Sequence, residues 1–424
     1  MQSNAVRLCV AAVTAVTLMG SQRASGEPPA TSAVSFTKLQ LTDRYYCDGI
    51  TVADIDSDGN VDVIAGPFWY SGPDFQTAHE FYEAVPLLPE PSPSNSMFSF
   101  VHDFSGDGRP DILVLGRVHM HEAKWYENPG SDDAGLWTDH FAFERVRGES
   151  PALVDLDGNG IPQVICHWDG RWGSIEPNPQ QPTQPWTFRP IGANEDWPQF
   201  YHGQGTGDVN ADGRTDFVIN DGWYEQPEDT GSEDWKFHRG RFSLDRGGAQ
   251  MFVDDVDGDG DQDVVSALNA HEWGLAWFEQ VKPDDGTDEK DDQLRTIGDR
   301  AFRQHLIMGD RSNEATFGVA FSQPHALAYA DIDGDGHRDI VTGKRLWAHG
   351  PTGDVEPNAE PVLYWFRWSR DENGGVRFVP QKIDDRSGVG TQLTVADINA
   401  DGRNDVLTVS KLGTFVFLQT HPHN

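Results

Sequence analysis

DIDGDGHRD, residues 331–339, is one of seven copies of a nine-residue phrase whose recurrence decides the fold. The others start at Asp54 (DIDSDGNVD), Asp103 (DFSGDGRPD), Asp155 (DLDGNGIPQ), Asp208 (DVNADGRTD), Asp255 (DVDGDGDQD) and Asp397 (DINADGRND). Spacings of 49, 52, 53 and 47 residues are followed by 76 and 66, so a unit of about 50 residues repeats and two units carry insertions. A period of that length belongs to repeat architectures. Side-chain oxygens set at alternate places around a glycine turn also suit a hard cation such as Ca²⁺.

Working outward from each copy, four short strands fit into one unit. An apolar run precedes the phrase (residues 49–53, 326–330) and an aliphatic run follows it (61–65, 111–115, 264–267, 340–342). A third run carries an aromatic pair, as at Trp69-Tyr70, Trp125-Tyr126, Trp223-Tyr224, Trp277-Phe278 and Trp365-Phe366, and a fourth alternates polar and apolar residues. β-branched and aromatic runs bounded by turn residues are strands, and four per unit without an amphipathic helix make a propeller blade. The last unit ends after its third strand (413–419), while a strand of the fourth type, residues 36–41, stands ahead of the first unit. The expected fold is therefore all-β: a seven-bladed propeller of four-stranded blades, closed by the N-terminal strand completing the last blade. Its domain spans residues 34–420.

Composition narrows the partners. With 32 basic and 68 acidic residues the formal charge is −36, which repels nucleic acid and leaves no basic footprint for it. Arg7, the short apolar stretch 8–20 and the small residues 24–26 read as a signal peptide over 1–26, followed by a linker over 27–33. That stretch is too short to span a bilayer, so the expected product is exported, secreted or periplasmic, and monomeric. The two cysteines after the signal, Cys47 and Cys166, fall in the first and third units; their spacing leaves a disulfide between them open without implying one, and two buried thiols are the favoured reading.

The acidic phrase followed by an aliphatic strand resembles the FG-GAP/VCBS repeat family, known from integrin α-subunit heads and secreted bacterial propellers. The resemblance implies several bound Ca²⁺ ions, each held by side chains at places one, three, five and nine and by the carbonyl at seven. Carried over, the best-equipped loops are Asp54, Asp56, Asp58 and Asp62; Asp255, Asp257, Asp259 and Asp263; and Asp331, Asp333, Asp335 and Asp339. Two more place an amide third: Asp208, Asn210, Asp212 and Asp216, and Asp397, Asn399, Asp401 and Asp405. The second loop offers Asp103, Asp107 and Asp111 with Ser105 between them; the third offers Asp155 and Asp157, with Asn159 and Gln163 in place of acids. Some polysaccharide lyases and a fungal aldos-2-ulose dehydratase also use propellers of this general kind, an analogy of fold that assigns no reaction.

Because the acidic loops end the inner strands, the starts of those strands and the ends of the second strands converge on the opposite face. That face collects Asp48, Glu149, His202, Gln250, His325 and Gln392 from the starts. The ends bring Arg117, His119, His121, His167, Asp169, Asn220, Asp221, His271, Glu272, Lys344, Arg345 and His349, with Trp168, Trp172, Trp197, Trp273 and Trp347 interleaved. Aromatic faces beside hydrogen-bonding groups suit a sugar ring. Three readings follow. In the first, the face binds a carbohydrate or other polar ligand through Asp48, Glu149, His167, His271, Lys344 and Trp347. In the second it is a carbon–oxygen lyase or dehydratase acting on a sugar or uronide. His202 or His325 would then take a proton and Arg345 or Lys344 would steady the enolate charge, with His349 a further candidate of the same site, or a divalent metal held by two or three of the histidines would act as Lewis acid instead. In the third it is a protein-interaction scaffold. The insertion at residues 344–360 follows a second strand directly and should fold over this face as a rim.

Overall fold

In the computed structural model the described residues are 34–90, 93–116, 121–131, 135–282 and 292–420. The signal-peptide and linker readings, Arg117 and His119, and most of the acidic stretch after Val281 lie outside them. The described residues hold 29 strands in an all-β propeller arrangement, with one 3₁₀ turn and one helical turn, Glu314–Phe317, that the reading of four strands per unit did not anticipate. No helix among them is long and apolar enough to cross a membrane.

Five sheets have four strands each. In the first, Ile50–Ala53, Asp62–Ala65, Phe68–Tyr70 and Ala78–Glu80 pair in that order, all antiparallel. The sheets starting with Phe98–His102, Arg147–Val154 and Leu327–Ala330 repeat the pattern. In the fifth, Thr394–Ala396, Asp405–Ser410 and Gly413–Thr420 are joined on the outside by Ser35–Thr42, with Phe36 opposite Gln419 and Leu39 opposite Val416. The first and last described strands thus share one sheet, and an edge that would otherwise lie open is paired.

The sixth sheet has nine strands. Two inner strands, Gln204–Gly207 and Gln250–Asp254, pair in parallel, Gly205 opposite Met251. Glycine permits this approach: a Cβ on Gly205 would stand 1.9 Å from the Met251 carbonyl oxygen, and one on Gly207 would stand 2.4 Å from Val253 Cβ. The outermost strand, Leu294–Ile297, hairpins onto Arg300–Met308.

Side chains between sheets form a series of apolar layers. The third-strand tryptophans are core: Trp125 is fully buried, and Trp69 and Trp223 nearly so. A regularity invisible to the repeat reading is that four of them stack on a histidine directly opposite on the fourth strand, whereas Trp365 faces Gln381. The pairs are Trp69–His79, Trp125–His140, Trp223–His238 and Trp277–His305, with ring centroids 3.9–4.4 Å apart. In three of them the third-strand glutamate two residues after the tryptophan bonds the histidine at 2.7–2.8 Å. Cys47 and Cys166 are buried and unpaired with each other.

The acidic loops are built alike. The place-six glycines all have φ between +82° and +95°, which only glycine adopts without strain. The place-one carboxylate accepts backbone N–H groups from within its loop, as Asp54 does from Asp58 and Gly59. The place-nine aspartate turns inward. Asp339 is fully buried and accepts from Ile332 N at 3.0 Å and from Trp368 N, on the third strand, at 2.7 Å. Asp62, Asp216, Asp263 and Asp405 repeat both bonds. Place nine therefore ties the loop to its sheet. Gln163 keeps the loop bond alone, to Leu156 N. Burial pushes these carboxyls up, to about 6 for Asp62, Asp111 and Asp405, about 7 for Asp216 and about 8 for Asp263 and Asp339.

Candidate functional site

On the face away from the acidic loops, four side chains from four segments meet. Glu149 lies near the start of strand Arg147–Val154, and His202 stands two residues before Gln204–Gly207. His271 follows Asp263–Ala267 in a turn where Asn269 Oδ1 accepts its backbone N–H at 3.0 Å. His325 precedes Leu327–Ala330, its N–H bonded to the carbonyl of Gln323 at 2.8 Å. His202 Nε2 stands 3.0 Å from Glu149 Oε2 and 3.0 Å from His271 Nε2, and His325 Nε2 stands 3.2 Å from the same Glu149 oxygen.

A second layer surrounds these four. Asp354, on the 344–360 insertion, has Oδ1 3.4 Å from His271 Nδ1 and 2.8 Å from His349 Nδ1. Although burial alone would raise its pKa, the two histidines outweigh that and hold Asp354 well below the carboxylate range. The hydrogen bond to Asp354 raises His349, while burial lowers His271. His325, fully buried, is pulled down to about 3, first by desolvation and then by the Arg345 guanidinium. It is a neutral imidazole at any ordinary pH.

Arg345 pairs with buried Asp48 at 3.4 Å. Asp48 also accepts from the Tyr45 hydroxyl at 2.7 Å and from Ser94 N at 2.8 Å. Burial pushes the Asp48 carboxyl up, but Arg345 and these hydrogen bonds prevail and it is lowered.

A cleft of about 490 Å³ opens above the cluster. Glu149, His202, His271 and His349 line it together with Phe200, Tyr201, Asp221 and Arg241. Tyr201 Oη donates to Asp221 Oδ2 at 2.6 Å, and Arg241 Nε stands 3.1 Å from Asp221 Oδ1. Phe200 is 55 % exposed.

The sequence candidates divide clearly. Glu149, His202, His271, His325 and His349 gather at the cleft, and Arg345 with Asp48 lies behind it. Others have different work. Fully buried Lys344 bonds the Ser322 hydroxyl at 3.1 Å, its pKa lowered to about 8 by burial. His167 is buried edge-on against Trp172 within its own sheet. Trp347 donates Nε1 to Asn358 at 2.8 Å within the insertion. Gln250 and Gln392 stitch neighbouring sheets: Gln250 bonds Thr391 O and Leu327 N, and Gln392 bonds both backbone groups of Ser99. Asp354, Phe200, Tyr201 and Arg241 were not singled out from sequence. Asp354 had a signal, because it lies inside the insertion expected to form a rim; Val355 O there accepts from Ser322 and Gln323.

In the acidic loops, carboxylate oxygens approach one another in three clusters: Asp54, Asp56 and Asp58; Asp255, Asp257 and Asp259; and Asp331, Asp333 and Asp339.

An FG-GAP-like repeat matches residues 103–166, the second loop through the start of the third sheet. No curated protein matches the chain. Solved structures similar to it include an Agrocybe aegerita lectin with specific recognition of non-reducing terminal N-acetylglucosamine. That match has 15 % identity over 92 % of this chain and 86 % of the lectin, with a TM-score of 0.46. The exotype rhamnogalacturonan lyase YesX is similar at 12 % identity, over 93 % of this chain and 76 % of that one, TM-score 0.45. BBS1N, solved in complex with ARL6DN, is similar at 10 % identity, over 93 % and 99 %, TM-score 0.47.

Proposed function

We propose that this chain of FG-GAP-like repeats is an exported, Ca²⁺-stabilised propeller that holds a carbohydrate in the cleft opposite its acidic loops. The observation that carries the reading is the make-up of that cleft. An exposed aromatic ring, Phe200, stands beside convergent, mostly buried polar groups. An apolar platform for a sugar face next to fixed donors and acceptors is what saccharide sites need. Scattered loop residues would not bring three histidines and a carboxylate, three of the four buried, within 4.8 Å of one another. The test is saturable binding across a panel of neutral and uronide-containing oligosaccharides. Phe200→Ala should weaken binding about 2- to 10-fold, since an aromatic contact contributes about 0.5–1.5 kcal/mol. No saccharide binding by the folded protein would overturn the reading.

One observation favours turnover as a second reading. Perturbed titratable groups concentrated in a cleft mark catalytic sites, and Glu149 between His202 and His325 has the geometry of a proton relay. In a carbon–oxygen lyase this group would remove a proton beside a carbonyl or carboxylate, with Arg345 behind it steadying negative charge. Ultraviolet absorbance of an unsaturated product, lost in His202→Ala, separates this from binding alone.

Two finer readings of the scaffold belong with the first. The nine-stranded sheet is two blades, of four and five strands, joined along the seam of parallel pairs at Gly205, which gives seven blades within one domain over 34–420. Ca²⁺ occupies the acidic loops, first of all the three with clustered carboxylates, where exported proteins meet enough of the ion to fill weak oxygen sites.

A further inference from the structure

The cluster at the cleft floor has an unresolved proton arithmetic. His202 Nε2 lies 3.0 Å from both Glu149 Oε2 and His271 Nε2. One proton on His202 can serve the carboxylate, but it then leaves two ring nitrogens facing each other with no second proton placed between them. A proton added on His271 Nε2 would point at the N–H of His202. Among the described residues neither ring nitrogen of His325 makes a well-formed hydrogen bond, although it is fully buried. Its Nε2 has only the 3.2 Å approach to Glu149 Oε2, and buried polar atoms so poorly served are rare; an ion or an ordered water is what usually completes them.

The distances fit one. Ligand atoms about 2.1 Å from a common ion stand roughly 3.0 Å apart at right angles and 3.4 Å apart in a tetrahedron. The three close pairs here, 3.0, 3.0 and 3.2 Å, fall in that span, and all four ligand atoms lie within 4.8 Å of one another. The second shell fits as well. His271 presents Nε2 to the cluster while its Nδ1 faces Asp354 Oδ1 at 3.4 Å, the carboxylate–histidine arrangement that orients a metal-bound imidazole.

We propose that Glu149, His202, His271 and His325 bind one divalent transition-metal ion of the Zn²⁺ class at the floor of the cleft. Three imidazoles and one carboxylate select such ions over Ca²⁺, which takes oxygen ligands. The site shares its place with the proposed ligand cleft and rests on that reading for location alone; an ion there would stand where a bound saccharide's hydroxyl or carboxylate could reach it.

The experiment uses the whole protein, stripped with chelator, returned to Ca²⁺ and titrated with Co²⁺ as a spectroscopic probe. Visible absorbance should saturate at one equivalent, be displaced by Zn²⁺ and be insensitive to excess Ca²⁺. Loss of a second-shell partner costs a site about 10–100-fold in affinity, so Asp354→Asn should fall in that range. His271→Ala and Glu149→Gln should lose about 100-fold or more. Asp58→Ala, in an acidic loop, should leave the Co²⁺ spectrum unchanged. Circular dichroism identifies any variant that fails to fold, and the wild-type stoichiometry decides without it. No Co²⁺ spectrum in the folded wild type, or one retained by folded His271→Ala and Glu149→Gln, overturns the proposal. No saccharide is present, so failure to bind ion and failure to bind sugar are read separately.

Discussion

Replacing Asp339 with alanine tests whether the place-nine aspartate is a structural tie as well as a Ca²⁺ ligand. Its two oxygens accept the N–H groups of Ile332 and Trp368, at 3.0 and 2.7 Å, in a fully buried position. Alanine leaves both donors buried and unserved, at about 1–3 kcal/mol each, so the metal-free protein should lose about 2–6 kcal/mol. Asp58→Ala is the control. Asp58 is exposed and its main bonds are to Asn60, so its loss should show chiefly when Ca²⁺ is present. The assay is urea denaturation of wild type and both variants, in chelator and in Ca²⁺, between pH 5 and 9. Because burial raises Asp339 to about 8, the folded state disfavours its ionised form. The wild type's advantage over Asp339→Ala in chelator is therefore full below about pH 4, where the unfolded carboxylate is protonated too, falls as pH rises from there to about 8, and is level above it. With Ca²⁺ the ion neutralises the carboxylate, and the advantage should persist at pH 9. Equal losses for the two variants in chelator, or an advantage in chelator that grows with pH, would refute the reasoning.

Deleting residues 34–42 should lower the melting temperature and promote association, because strand Gly413–Thr420 would lose its outer partner; an unchanged melt and a monomeric elution profile would count against closure by the N-terminal strand. Gly205→Val should disrupt the seam, since its Cβ alone would meet the Met251 carbonyl at 1.9 Å. A folded variant with wild-type stability would show that the parallel pairing is dispensable.

The scaffold could be read because its signals are local and repeated. Nine residues carry the whole loop: carboxylates that accept N–H groups nearby and a glycine whose positive φ no other residue adopts cheaply. Seven repetitions separate pattern from coincidence. The nine-stranded sheet was hidden because it depends on how closely two strands approach, which Gly205 and Gly207 permit but do not announce. The site was legible only in outline. Strand topology predicts which residues reach the far face, and Glu149, His202, His271, His325 and His349 do meet there. Rotamers and packing decide the rest: His167 turns into its own sheet, Lys344 onto Ser322, and Gln250 and Gln392 into stitches between sheets. Four other histidines, 79, 140, 238 and 305, stack on tryptophans. Their cross-strand register is visible only once the sheets are formed.

The separation of the two proposed ion sites follows from the same topology. His202 and Asp208 bracket one inner strand, so the histidine cluster and its nearest acidic loop stand about six residues apart, roughly 20 Å at 3.3 Å per residue. Two divalent cations at that distance repel by only about 1 kcal/mol in water, and less in salt. Neither ion would appreciably weaken the other, and their ligand sets differ in kind: oxygen alone in the loops, mostly imidazole at the cleft. A chelator selective for Ca²⁺ should therefore destabilise the sheets while leaving Co²⁺ in place, whereas one selective for transition metals should empty the cleft without moving the melting curve by as much. Loss of both ions to either chelator at equal concentrations would mean that the two ends of the inner strands are coupled through the fold rather than independent. The rigid inter-sheet stitches at Gln250 and Gln392 would then be the first place to look for the path.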